Sequence, residues 1–375
     1  MRWSTTTGLC IFLLFWGAVA ESLHGQPSAS SDAQRIEALI KQLGDEEFSQ
    51  REAASRGLEA IGEQAFPALR RAVAASEDFE IRQRAKLIIR TIMLGCTKSK
   101  STDLRLTLID PGNFTMGSPP AEPDRRADET PHKVKITEPF LLGVYEVTQG
   151  EYQKVMKHNP SWFTPAGGGK GKIAGMETSG FPVEKVTWFD AIEFCNRLSK
   201  LDGYDPYYQM LDVKLMDDSI IGGSVSILGG NGYRLPTEAQ WEYACRAGTT
   251  KAFHFGPAND GNDANFKPGP STGYGVTQSW KSLGRTAKVG SYAPNSWGLF
   301  DMHGNAAEWC WDWYDKDYYA NSPPDDPTGP EKGDHRVLRG GSWLIGEGSC
   351  RSASRFWHIP NEINYVAGFR VARTP

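Results

Sequence analysis

The chain has 375 residues, 39% of them hydrophobic and 12 of them tryptophan, which is ample for a real core and, by length, for two domains. Forty-one Lys and Arg against 45 Asp and Glu leave a formal charge of −4, which argues against a nucleic-acid footprint. Forty Gly and 23 Pro point to many turns and long loops.

Residues 1–20 read as an address. Arg2 precedes an apolar run over 9–20 that ends in Ala18-Val19-Ala20, an A-x-A cleavage pattern followed by Glu21. The run is too short to span a bilayer comfortably. The expectation is therefore a secreted or periplasmic protein with no transmembrane anchor after the signal is removed; a retained anchor is the other reading. Cys10 leaves with the signal. Cys96, Cys195, Cys245, Cys310 and Cys350 then face an oxidising compartment, where an odd count leaves at least one free or intermolecular.

Over residues 32–95, Ile36, Leu39, Ile40 and Leu43, then Ala54, Leu58 and Ile61, then Leu69 and Val73, then Ile81, Ala85, Ile88, Ile89 and Ile92 keep helical spacing. Gly44, Gly62 and Pro67 interrupt it. The pattern predicts four short helices in antiparallel pairs and loosely resembles HEAT-type helical repeats, whose helix pairs bury one face against a neighbour. It serves either as a spacer or as a peptide-binding surface. The polar run 96–103 reads as a linker.

From residue 104 the chain changes to short strands and turns. A run over 104–109, the turn Pro111-Gly112 and a run over 114–117 suggest a hairpin-like start. Three helices are announced by N-caps: Thr148 with Glu151, Thr187 with Asp190, and Thr237 with Gln240, of which the first and third fit the capping box strictly. Gly/Pro-rich stretches over 159–181 and 256–290 follow the first and third of them, and loops that long in a compact domain are usually functional, disordered, or held by metal or disulfide.

The stretch 297–313, WGLFDMHGNAAEWCWDW, fits neither a plain strand nor a plain amphipathic helix. Asp301, the carbonyls near Gly304 and Ala306, and Glu308 lie close enough along a curved loop to wrap one hard cation, which prefers six to eight oxygens. The competing reading is that these carboxylates cap turns and pair with arginines.

Seven motifs occur in order: Gly112-x-Phe114-x-Met116-Gly117-Ser118, Tyr145-Glu146-Val147-Thr148, Phe181-Pro182-Val183, Tyr233-Arg234-Leu235-Pro236-Thr237-Glu238, Gly304-Asn305-x-x-Glu308-Trp309, Arg339-Gly340-Gly341-Ser342-Trp343 and Gly368-Phe369-Arg370. This series, covering 104–373, resembles the sulfatase-modifying-factor family, which includes the formylglycine-generating enzymes. The resemblance implies an α+β, C-type-lectin-like domain with little regular secondary structure and long loops pinned by calcium and disulfides, preceded here by the small all-α module. It places calcium on the side chains of Asp301 and Glu308 and the carbonyls of Gly304 and Ala306, and it matches a second calcium to Asn265 and Phe266, although the acidic partner expected downstream is not visible over 278–287. It also implies a Cys310–Cys350 bridge. Cys195 and Cys245, one on each of two helices, are the expected second pair, with Cys245–Cys350 as the alternative connectivity.

Activity is where the chain departs from the family. Formylglycine-generating oxidases place two cysteines five residues apart after RGGS, and these thiolates bind Cu(I), a soft ion suited to sulfur. Here the segment reads RGGSWLIGEGSCRSASR: Ile345 stands at the first thiol position and Cys350 is the only cysteine in the region. The seven His never form HExxH, and there is neither a GxSxG elbow nor a P-loop. His303 reads as a turn stabiliser. Arg339, Arg351, Arg355 and Arg370 read as partners of Asp312, Glu308 and neighbouring carboxylates. The expectation is a calcium-stabilised binding or scaffold domain for a protein, peptide or glycan ligand. The alternative is an oxidase converting a sulfatase cysteine to formylglycine, with Cu(I) and Cys350 as its catalytic elements.

Overall fold

The computed structural model describes residues 29–95, 97–256, 262–268 and 282–374. The expected signal over 1–20, with Cys10, and the leftover Cys96 lie outside the described residues.

The helical spacing resolves into α1 (Ala29–Gln42), α2 (Phe48–Ile61), α3 (Phe66–Ala75) and α4 (Phe79–Gly95). Gly62 follows α2 at φ 73°, a left-handed conformation that costs glycine little. Pro67 sits in the first turn of α3, where its missing N–H has no helical partner to lose. Leu43, Leu58, Leu69 and Ile88 are buried in the module's interior, each contributing about 1.5–3 kcal/mol of hydrophobic burial. That interior is continuous with the core of the rest of the chain. Ion pairs Arg90–Asp110 and Glu63–Arg373 tie the two parts together. The linker is held too, since the Asp202 carboxylate accepts from the Lys100 and Ser101 N–H groups.

Beyond it the strands are β1 (Leu106–Ile109), β2 (Gly112–Met116), β3 (His132–Ile136), β4 (Phe140–Gly143), β5 (Tyr208–Met216), β6 (Ser219–Ile227), β7 (Tyr233–Arg234), β8 (Ala307–Trp313), β9 (Arg336–Arg339), β10 (Phe356–His358), β11 (Ala367–Gly368) and β12 (Ala372–Arg373). One sheet has the order β1-β4-β12-β7, so strands from both ends of the domain share it; the other runs β10-β9-β8-β11, with β11 parallel to β8. The expected hairpin over 104–117 does not form. β1 pairs with β4 and β2 with β3. β4 is buried along its whole length, so its Phe140, Leu141 and Leu142 require a strand on either side, and β1 and β12 supply them.

The helices α5 (Gln149–Met156), α6 (Trp188–Asp202) and α7 (Glu238–Arg246) all open with complete capping boxes. Asp190 closes its box as well as the longer side chains do, accepting the Thr187 N–H at 3.0 Å. β8 is the Trp-rich stretch. It is buried on both faces over its first four residues, and the indole N–H groups anchor it: Trp309 donates to the Val186 carbonyl at 3.0 Å, while Trp188 of α6 donates to Cys310 O at 2.9 Å. No helix among the described residues is long and apolar enough to cross a membrane.

Candidate functional site

The loop entering β8 is curled by three left-handed residues, Asp301 (φ 57°), Gly304 (φ 80°) and Asn305 (φ 58°). A Cβ on Gly304 would lie 2.3 Å from the Asn265 carbonyl oxygen, so the position admits only glycine. Asn265 braces this loop. Its carbonyl accepts from Asn305 N–H at 2.8 Å and its amide donates to Asn305 Oδ1 at 3.1 Å, while Phe266 is buried with Phe253 and Cys350.

The expected ligand residues Asp301, Gly304, Ala306 and Glu308 are all buried along this curl, and no group of three or more His, Cys, Asp or Glu among the described residues is arranged to hold a metal ion. Asp301 Oδ2 accepts from Gly290 N–H at 2.7 Å; its Oδ1 is buried with no hydrogen-bond partner among the described residues. Burial raises the Asp301 carboxyl to about 6. Glu308 is fully buried, with both oxygens at 2.6 Å from Arg370 and Oε2 also accepting from the Trp241 indole at 2.7 Å. Sequence reasoning missed Glu146, which accepts from Ala306 N–H and from the Asn305 amide, both at 2.9 Å. Its carboxyl is pushed well up, first by burial and then by the Asp301 and Glu308 charges. Its place in the Tyr145-Glu146-Val147-Thr148 motif, beside an N-cap, was the available signal. Three buried carboxylates thus surround one guanidinium, an excess of negative charge in a low-dielectric setting that favours a cation or protonation. Asp301 Oδ1 suits a hard cation. Glu308 could join only by sharing its oxygens with Arg370.

Arg339, Arg355 and Arg351 are neutralised by glutamates. Arg339 meets Glu242, Arg355 holds Glu238 through two bonds of 2.8 and 2.9 Å, and Arg351 holds Glu129 through two of 2.7 and 2.8 Å. Asp312 has no arginine ion pair among the described residues; it accepts from Glu238 N–H at 2.8 Å, and burial followed by the Glu238 charge pushes it to about 8.

At the RGGS loop, Gly341 (φ 74°) lies directly on Cys350, and an added Cβ would stand 2.4 Å from the sulfur. Cys350 is fully buried, and burial raises its thiol to about 12, so the nucleophilic thiolate is suppressed. His303 Nδ1 donates to the Cys350 carbonyl at 2.7 Å, leaving Nε2 to accept from His254 N–H at 3.3 Å. That fits its expected role as a turn stabiliser.

The expected bridges are not formed: Cys195, Cys245, Cys310 and Cys350 are all free and buried. Each expected pair is split between separate apolar clusters. Cys195 belongs to the core around α6, Cys245 and Cys310 to that around Trp241 and Leu299, and Cys350 to a small group with Phe253 and Phe266. The alternative Cys245–Cys350 bridge is split in the same way. These thiols serve as small hydrophobes.

Beside the same loop is an aromatic surface. Trp162 and Tyr365, each 39% exposed, are 5.8 Å apart, and Tyr365 is 6.1 Å from Trp343. Leu344 is 38% exposed. The Trp343 indole N–H is buried without a hydrogen-bond partner among the described residues.

Residues 96–375 match the Sulfatase-modifying factor enzyme 1-like domain. The chaperone protein LppX of Paenibacillus barcinonensis is 33% identical over 251 residues, which cover 63% of this chain and 80% of LppX. The formylglycine-generating enzyme of Bos taurus is 28% identical over 292 residues, covering 72% of this chain and 75% of that enzyme. Among solved structures, Treponema denticola variable protein 1 superposes with a TM-score of 0.59 at 30% identity, over 74% of this chain and 98% of that one. The lectin-like α+β arrangement expected from the motifs is the one these proteins share.

Proposed function

The chain belongs to the sulfatase-modifying factor family, and we propose that within it this member is an exported binding or scaffold domain, braced by calcium, whose ligand is a protein, peptide or glycan. The carrying observation is the state of the RGGS loop: Ile345 occupies the first thiol position, and the single thiol, Cys350, is sealed under Gly341. These residues do not fit a two-thiolate Cu(I) site. The exposed Trp162 and Tyr365 beside Trp343 supply the rigid aromatic surface that recognition favours. The named relatives include both a chaperone protein and a formylglycine-generating enzyme, so family membership is compatible with a non-catalytic role.

Calcium would be held by Asp301 Oδ1 and the carbonyls of Gly304 and Ala306, and it would offset the carboxylate excess of Glu146, Asp301 and Glu308. Its contribution is mechanical, fixing the curl that orients β8.

The test is to incubate the purified chain with Cu(I) and a peptide bearing a CxPxR sequence, and to measure aldehyde by mass spectrometry. The reading expects an unmodified cysteine. Aldehyde formation that disappears in Cys350→Ser establishes the oxidase instead.

A further inference from the structure

An open groove of about 650 Å³ runs along the binding face, lined in part by Met176, Phe181, Leu283, Arg285 and Lys288. Phe181, on its lining, packs in one buried cluster with Phe163 and Trp343. We infer that this groove binds an acidic peptide segment of a protein partner, seating carboxylates on Arg285 and Lys288 with aliphatic side chains against the apolar rim. The inference rests on the binding reading of the domain and names its partner class.

Arg285 carries the argument. Its guanidinium lies 5.4 Å above the Phe181 ring and spends one N–H on the Thr286 carbonyl, at 2.7 Å. No carboxylate among the described residues pairs with it, whereas Arg339, Arg351, Arg355 and Arg370 each hold a buried glutamate. A guanidinium presents its N–H groups as a planar fork that matches a carboxylate. Burial disfavours the Arg285 charge, which is the condition an incoming anion relieves.

Two more cations border the site. Lys288 lays its methylenes against Gly180 and forms no ion pair among the described residues, and the Lys172 ammonium lies beside Gly284. The acid on the rim, Glu177, is exposed and accepts from Ser179 N–H at 2.7 Å. Among the described residues lining the groove, Arg285 and Lys288 outnumber the one acid, Glu177. Met176 and Leu283, each 42% exposed, add apolar area that an anionic sugar would not use and that aliphatic peptide side chains would. Three cations are too few for the extended phosphate tracking of nucleic acid.

The test uses the full chain and fluorescence anisotropy with a labelled peptide of alternating Leu and Glu, its Leu/Gln counterpart, and a sulfated disaccharide as competitor. The expected result is that the Glu peptide binds about tenfold or more tightly than the Gln peptide, the worth of a charge-assisted hydrogen bond, and weakens with added salt. Arg285→Gln and Lys288→Gln should each lose most of that preference, while Arg285→Lys retains part of it, with melting temperatures unchanged. The inference is overturned if neither peptide binds, if Glu and Gln peptides bind alike, or if the sulfated sugar binds and the peptide does not. Peptide binding that survives Arg285→Gln and Lys288→Gln but is lost in Trp162→Ala overturns the groove and leaves the binding reading standing. Copper-dependent aldehyde formation overturns that reading itself.

Discussion

Replacing Arg370 with methionine strands Glu308. The carboxylate is fully buried and takes two 2.6 Å bonds from this guanidinium, leaving only the Trp241 indole when it is gone. Breaking a buried pair by removing one partner costs about 3–5 kcal/mol, because the remaining charge is uncompensated. Arg370 also donates to the Gly143 and Phe300 carbonyls at 2.9 and 3.0 Å, and losing those donors adds about 1 kcal/mol each. The sum, about 5–7 kcal/mol, is a large share of the roughly 5–15 kcal/mol that stabilises a typical domain. Arg370→Met should therefore lower the melting temperature by 10 °C or more, taking about 2–4 °C per kcal/mol for a domain of this size. Adding Glu308→Gln removes the stranded charge while keeping an acceptor for Trp241, so the double variant should recover part of the loss. Urea titration followed by tryptophan fluorescence measures both. A loss below about 1 kcal/mol in Arg370→Met, or strictly additive single effects, refutes the pair as the pin of this loop.

Three further outcomes follow from the same geometry. Thr187→Ala removes the N-cap of α6 and the donor to the Ile220 carbonyl at 2.7 Å, and should cost about 1–2 kcal/mol by denaturant titration; a neutral result denies the cap its role. Asp312 has a folded-state pKa raised to about 8, so its contribution is fully present at low pH, where the unfolded carboxyl is also protonated, and is lost as pH rises through about 8. Asp312→Asn keeps the acceptor for Glu238 N–H and should be more stable than the wild type at pH 8–9, with a flatter stability–pH profile between about pH 4 and 8; an unchanged profile contradicts the assignment. Chelation of calcium should lower the melting temperature by about 5–10 °C, since free ion at about a hundred times its Kd stabilises by about 2.7 kcal/mol, and Asp301→Ala should abolish the chelator effect. If EDTA leaves the wild-type curve unmoved, the calcium proposal fails.

Features whose signal is local were legible in the sequence. The four helices of the N-terminal module follow from apolar residues at helical spacing, and the starts of α5, α6 and α7 from single threonines three residues ahead of a polar side chain. The curled loop was legible because Asp301, Gly304, Ala306 and Glu308 lie within the single stretch 297–313. Non-local pairing was not. Pro111-Gly112 advertises a turn, but β1 finds β4 because the wholly buried Phe140–Gly143 strand needs neighbours on both sides. The cysteine pairs failed for a similar reason: helix or motif membership says nothing about which apolar cluster a thiol enters. Glu146 passed unnoticed because its partners Asn305 and Ala306 are about 160 residues away. Arg285 stands out only once the glutamate partners of the other arginines are known.

Copper affinity at the RGGS loop tests the central claim most directly, because a sealed lone thiol and a metal-binding thiolate pair differ in this one property. The measurement is a Cu(I) titration of the full chain against a chromophoric chelator, with Cys350→Ser alongside. The account predicts that the chelator keeps the copper and that the two proteins behave alike; one equivalent of Cu(I) retained by the wild type and lost in Cys350→Ser contradicts it.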